Sequence, residues 1–281
     1  MKLAILSDIH ANLPALHAAL ADVDRWQPDV LVFAGDLINR GPRPLECLEL
    51  VWQRRRAGAL VTRGNHEDYI LENTLPDLQR TAIEVELYLS STWTHDRLNG
   101  HIRDLALLPF AAQVAAPNAQ LVYITHASPR ALNDGIYTQQ TDNDIRQRLP
   151  HPRPAVMVVG HTHRPLIRTV DNTLIVNAGS VGTPFDSDPR LSYARLTYSR
   201  TGWQAEIVRL PYDRDQTERD YDTTGYAPEC GPIVALMRQE WREARPIYPY
   251  WYQKYHEAAL AGKIGLWDSV REYLPTAEAA Q

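Results

Sequence analysis

The sequence predicts an α/β fold, and three observations carry the prediction. Apolar runs of strand length alternate with helical patterns from Lys2 to Thr62, as in a βαβαβ unit whose parallel strands are joined by crossover helices. From residue 155 onward the chain becomes β-rich, with short strands separated by turn signals. A length of 281 residues, 44% of them hydrophobic, suffices for a sizeable core, as one large domain or as one domain with an appendage.

In chain order, "KLAILS" reads as a buried strand, and "LPALHAALADVDRW" sets Leu13, Leu16, Leu20 and Val23 at helical spacing. "DVLVFA" is the next strand, "PLECLELVWQRRRAG" a second helix closed by Gly58, and "ALVT" a third strand. Residues 67–110 read as mostly helical, with breaks at Pro76 and Pro109. "LVYIT" is a further strand, and residues 128–153 form a polar stretch suited to a lid or rim over a site. "AVMVV", "PLIRTV", "TLIVNAG", "LSYARLTY" and "WQAEIVRL" follow as strands, with "DN" and "RTG" as hairpin turn signals. After Pro211 a Pro- and Tyr-containing connection leads to helical patterns such as "IVALMRQEWREA" and "YWYQKYHEAALAGK".

Composition excludes several classes of function. A net charge of -5 argues against non-specific nucleic-acid binding through a broad basic surface. The run Arg54-Arg55-Arg56 reads as a solvated helix end in a chain whose basic residues are nearly all Arg. No stretch approaches the roughly 18 uncharged apolar residues of a membrane span, and "MKLAIL" breaks into Ser7-Asp8 too early for a signal peptide. A cytoplasmic protein without membrane partners is expected. Cys47 and Cys230 lie far apart and outside any CxxC pair, so both are expected to serve packing.

The chemistry gathers at strand ends. Five apolar runs finish in metal-capable groups: Ser7-Asp8-Ile9-His10, Gly35-Asp36, Arg63-Gly64-Asn65-His66, His126, and Gly160-His161-Thr162-His163. In an α/β sheet ligands bind beyond the carboxyl ends of the strands, so all five can converge. Just past a strand end the backbone turns, and a His-x-His there can aim both imidazoles at one centre. Asp8, His10, Asp36, Asn65, His126, His161 and His163 offer carboxylate, amide and imidazole but no thiolate. That set suits manganese first, with iron, cobalt, nickel or zinc as alternatives, over magnesium or calcium. Seven ligands are too many for one ion, whereas two divalent ions about 3.5–4 Å apart with a bridging carboxylate would use them all. Asp36, in a Gly-Asp turn, is the natural bridge.

In this order the motifs resemble those of the calcineurin-like metallophosphoesterase superfamily: Asp-x-His, Gly-Asp, Gly-Asn-His-Glu/Asp, a lone His after a strand, and Gly-His-x-His. Here they stand as Asp8-Ile9-His10, Gly35-Asp36, Gly64-Asn65-His66-Glu67, His126 and Gly160-His161-Thr162-His163. The resemblance covers roughly residues 1–210. It implies a four-layer αββα sandwich, two mixed β-sheets flanked by helices, for residues 1–210 and says little about the rest, for which the helical patterns lead to the expectation that residues 211–281 form a C-terminal helical extension packed on it. It also implies that one metal takes Asp8, His10, Asp36 and His163, and the other Asp36, Asn65, His126 and His161. The implied activity is phosphoester hydrolysis, by phosphodiesterase or phosphatase chemistry, of a small phosphate ester or nucleotide, with a metal-bridging hydroxide as nucleophile.

His66 is implied as a catalytic group that hydrogen-bonds the phosphoryl oxygen or protonates the leaving group. Arg40, in "GDLINRG", resembles the phosphate-binding Arg of the "GDxxDRG" turn in protein serine/threonine phosphatases and dinucleoside tetraphosphatases, where a planar fork suits two phosphoryl oxygens. The chain departs from that branch at Asn39, where the branch has an Asp, and its His-x-His is more like the bacterial phosphodiesterases. Two rival readings are a catalytically silent metal-binding scaffold of the same fold, which the intact His66 disfavours, and a nuclease, for which no basic and aromatic groove is evident.

His17, His95, His101, His151 and His256 read as surface or packing residues. "NAGSVGTP", residues 177–184, reads as small residues that let backbone pass close to the metal-bearing loops, with Asn177 able to touch a ligand's neighbour. Trp241, Trp251 and Trp267 and many Tyr fall after residue 240. The first expectation is a helical appendage, with a cap over the site or a homo-oligomer surface as alternatives.

Overall fold

The start of the first helix follows directly from local chemistry. In the computed structural model, which describes residues 1–75, 78–98 and 100–278, Asn12 caps the first helix by accepting the Ala15 N–H at 3.2 Å, with Pro14 in the opening turn. The elements run β1 (Lys2–Leu6), α1 (Leu13–Trp26), β2 (Val30–Ala34), α2 (Pro44–Arg56), β3 (Leu60–Thr62), α3 (Asn65–Leu71), α4 (Ala82–Leu87), α5 (Leu89–Arg97) and α6 (Ile102–Ala106). They continue as β4 (Ala111–Ala115), β5 (Leu121–Thr125), α7 (Asp142–Arg146), β6 (Val156–Val159), β7 (Leu166–Val170), β8 (Thr173–Asn177), β9 (Leu191–Ser199) and β10 (Gly202–Leu210). The remainder is helical: α8 (Arg214–Thr223), α9 (Tyr226–Glu229), α10 (Ile233–Glu243), α11 (Tyr248–Leu260) and α12 (Leu266–Glu278).

Among the described residues the strands form two five-stranded sheets, ordered β10-β9-β1-β2-β3 and β4-β5-β6-β8-β7. Each is mixed. β1, β2 and β3 are parallel, with the β9–β10 hairpin added antiparallel to β1. β5, β6 and β8 are parallel, with β4 and β7 antiparallel at the two edges. The β7–β8 hairpin turns on Asp171 and Asn172, both at positive φ, as a two-residue hairpin loop requires. β4 is a strand that the sequence does not announce: "AAQVA" has little β-propensity, and its pairing with β5 at a sheet edge decides its conformation.

Period-two alternation sorts the side chains into layers. Leu3 and Ile5 of β1, with Val32 and Ala34 of β2, pack against Val122, Ile124, Val156, Val158 and Val176 of the facing sheet. Ala4, Leu6 and Phe33 point the other way, into α1 and α2, while Met157, Val159 and Ile175 meet Ile145 beneath α7. The result is helix, sheet, sheet, helix, as expected. Full burial of each large side chain in such layers contributes about 1.5–3 kcal/mol. Residues 67–110 are largely helical, as read from the sequence; Pro76, expected as a break there, lies outside the described residues. Cys47 and Cys230 are buried free thiols in packed clusters.

The C-terminal helices have their own core, in which Trp251, Leu236, Ile247 and Leu266 pack with Leu87 of α4. They join the sandwich through polar links: Arg43 pairs with Asp220 at 2.7 Å, and Thr217 donates to Asn12 Oδ1 at 3.0 Å. No described helix is long and apolar enough to cross a membrane.

Candidate metal centre and pocket

The carboxyl ends of β1, β2, β3, β5 and β6 open onto one place because the parallel strands of both sheets deliver their loops to the same end of the sandwich. Backbone bonds stitch those loops together. Asp8 N–H donates to Gly35 O at 3.2 Å, His10 N–H to Asp36 O at 3.1 Å, and Gly160 N–H to His126 O at 2.7 Å. Two glycines allow this approach: a Cβ on Gly64 would overlap Asp36 Oδ1, and one on Gly160 would overlap Ser7 Oγ. Asp8, His10, Asp36, Asn39, Arg40, His161 and His163 all hold φ between 48° and 67°. Such left-handed positions cost on the order of 1–3 kcal/mol each for non-glycine residues and gather at functional sites.

All seven sequence-predicted ligands meet here. Asp8, His10, Asp36 and His163 form one group, and Asp36, His126 and His161 a second, each with ligand atoms within 4.8 Å of one another. Asn65 completes the second, its Oδ1 lying 3.1 Å from His126 Nε2 and 2.9 Å from His161 Nδ1. A single oxygen joins the two groups: Asp36 Oδ2 is 3.7 Å from His10 Nε2 and 3.1 Å from His126 Nε2, while Oδ1 accepts the His66 N–H at 2.9 Å. One oxygen of the Asp36 carboxylate thus faces both groups.

The donor set fits divalent cations on two further grounds. Asp8 Oδ2 accepts from Ser7 Oγ at 2.6 Å and from the His161 N–H at 3.0 Å, whereas Oδ1 is buried without a hydrogen bond, a costly state unless a cation or proton faces it. The Nδ1 atoms of His10, His126 and His163 face the carbonyls of Asn39, Ala34 and Thr183 at 3.3, 2.9 and 2.5 Å. Each Nδ1 thus carries a proton, and Nε2 turns inward, the arrangement of metal-ligating imidazoles. His10 Nε2 and His163 Nε2 stand 3.0 Å apart.

Charge states follow from burial and neighbours. Burial pulls His10 well below its ordinary value and His161 down to about 4. Burial would lower His126 too, but the Asp36 carboxylate beside it outweighs that and holds its pKa well above the usual range. Burial lowers His66 to about 3, which leaves it neutral.

Three residues at the site carry roles the sequence reading missed. Glu67 accepts the backbone N–H groups of Asp36, Leu37 and Gly64 at 2.9, 2.8 and 2.7 Å, tying the β2 and β3 loops together; its place as the last residue of the Gly-Asn-His-Glu motif was the available signal. Asn39 accepts the Arg40 N–H through Oδ1 at 2.9 Å, which turns its Nδ2 toward His66 Nδ1 at 3.1 Å. His66 therefore accepts at Nδ1 and keeps its proton on Nε2, so an Asn in place of Asp still orients the ring. Glu240 pairs with Arg40, and nothing in the sequence signalled that pairing. Asn177 donates to Gly160 O and Thr162 Oγ1 at 2.7 and 2.9 Å, bracing the His-x-His loop.

Beside the two groups lies a cavity of about 350 Å³ lined by Asp36, Arg40, His66, His161 and His163, with Tyr137 and Gln139 from the polar 128–153 stretch and Pro246, Pro249 and Tyr250 from the C-terminal helices. The polar stretch is thus a rim of the site. The histidines read as surface or packing residues lie elsewhere; His256, for example, stacks on Tyr252.

Two carboxylate–imidazole groups sharing one Asp oxygen, at the strand ends of two face-to-face mixed sheets, define the class of dinuclear-metal phosphoesterases. The chain belongs to the calcineurin-like phosphoesterase superfamily, whose domain model matches residues 1–201. A metallophosphoesterase structure from Sphaerobacter thermophilus is similar at 28% identity and TM-score 0.67, over 87% of this chain and 99% of that one. A hypothetical protein from Pyrococcus horikoshii OT3 shares the fold at TM-score 0.71 and 18% identity, over 84% and 97% of the two chains. An uncharacterized protein of Methanocaldococcus jannaschii is 25% identical over 75% of this chain and 88% of its own length. A shorter match, 40% identity over 72 residues, covers 25% of this chain and 26% of a symmetrical bis(5'-nucleosyl)-tetraphosphatase from Vibrio cholerae.

Proposed function

We propose that the protein is a metal-dependent phosphoester hydrolase acting on a small phosphate ester, nucleotides included, in the cytoplasm. The observation that carries the reading is the shared Asp36 Oδ2 between two largely buried ligand groups, with His66 lining the same cavity. In this reading Asp8, His10, Asp36 and His163 hold one divalent ion, and Asp36, Asn65, His126 and His161 the other, with manganese the first candidate. Such ions lower the pKa of water and neutralise phosphoryl charge.

The chain's own residues do the rest. His66 Nε2–H, oriented by Asn39, donates to a phosphoryl or leaving-group oxygen. Arg40 takes the non-bridging oxygens with its guanidinium fork. Residues 1–210 form the catalytic domain, and residues 211–281 are an extension that supplies one wall of the cavity. The test is to assay manganese-loaded protein against mono- and bis-(p-nitrophenyl) phosphate, then cyclic nucleotides, dinucleoside polyphosphates and phosphopeptides. Hydrolysis of at least one small ester is expected. Full metal loading with no turnover of any of them would replace the reading with a metal-binding scaffold.

A further inference from the structure

The C-terminal helices reach the cavity through one carboxylate. Glu240, on α10, is fully buried, and its two oxygens have different partners. Oε1 accepts the backbone N–H groups of Ile247 and Tyr248 at 2.7 and 2.8 Å. Oε2 pairs with Nη2 of Arg40. A buried carboxylate is tolerated only when paired and hydrogen-bonded, and here both conditions hold.

The consequence for Arg40 is geometric. Its backbone is held at φ 65°, its guanidinium edge is gripped by Glu240, and its Cζ lies 5.9 Å from the Tyr248 ring centroid. Among the described residues Glu240 is the one side chain that hydrogen-bonds or ion-pairs with the guanidinium, so the rest of the fork stays available to the cavity that Arg40 lines. An unrestrained Arg side chain would lose rotamer freedom on gripping a phosphate; one fixed beforehand loses less. The same carboxylate anchors the turn that carries Pro246, Pro249 and Tyr250 into the cavity wall.

We propose that Glu240 is a substrate-positioning residue: it presents Arg40 to the phosphoryl group and so makes the C-terminal segment part of the phosphate site. The inference rests on the assignment of Arg40 to phosphate made above. It deepens that assignment by giving the orienting group to a residue 200 positions away in the chain.

The experiment measures binding of inorganic phosphate to manganese-loaded full-length protein by calorimetry, so it does not depend on turnover. A protein that binds phosphate but hydrolyses no ester would sink the hydrolase reading and leave this measurement intact. Glu240→Gln keeps a carbonyl for the Ile247 and Tyr248 N–H groups and sets an NH₂ against Arg40. The expected result is about a tenfold rise in Kd, with metal stoichiometry unchanged. In an Arg40→Ala background the same substitution should change Kd by less than about twofold, because coupled residues act through one contact. Equal effects in both backgrounds, no effect with Arg40 intact, or loss of metal would each overturn the proposal. If Glu240→Gln does not fold, Glu240→Asp keeps the charge one methylene short, and a wild-type Kd there would overturn it equally.

Discussion

The strand-end loops and the α10–α11 turn both face the cavity, but they are held in place by different means. In the loops, backbone conformation and backbone hydrogen bonds set each ligand: left-handed φ at Asp8, His10, Asp36, His161 and His163, and cross-loop bonds such as His10 N–H to Asp36 O. The turn at residues 246–250 meets that centre chiefly through Glu240 and Arg40, and its own stability comes from a separate core around Trp251. The difference teaches that the geometry of the two carboxylate–imidazole groups is a property of the sandwich, whereas one wall of the cavity belongs to a part with a core of its own.

The largest expected effect tests the sandwich side. Asp36→Asn weakens both ligand groups at once, and elemental analysis should find both ions lost and activity absent. Retention of a full metal complement would remove Asp36 from the bridge. Next, His66→Gln should cut kcat by about 10²–10⁴-fold with metal content intact. Loss of metal in that variant would place His66 among the ligands instead.

The extension side should respond in another currency. Trp251→Ala is expected to cost about 3–5 kcal/mol of stability, read as a drop in the denaturation midpoint, while metal stoichiometry holds. A parallel loss of metal would show that the two regions are one cooperative unit. The smallest effect concerns protons. The raised pKa of His126 means that a cation must displace a proton from Nε2, so apparent manganese affinity should rise with pH through neutrality, by at most about tenfold per unit. Calorimetry in buffers of different ionisation enthalpy should show about one proton released at pH 7; none released would refute the shifted pKa.

Much of this was legible beforehand. The βαβαβ alternation, the hairpin signals and the five strand-end motifs are local patterns, and local patterns are what propensity and periodicity report. β4 was not legible, because "AAQVA" is a strand only by virtue of its partner. Nor was the role of Asn39: its identity is local, but the direction of its amide depends on the Arg40 N–H and on His66 meeting it.

By itself the sequence determined which chemical groups follow which strands, and therefore the carboxylate, amide and imidazole set, since strand ends and turn formers are encoded within a few neighbouring residues. Only the tertiary structure decided which Asp36 oxygen is shared, that Glu67 ties two loops, and that Glu240 grips Arg40. Those outcomes are set by distances between segments far apart in the chain, and such distances exist only once both sheets and the C-terminal helices have packed.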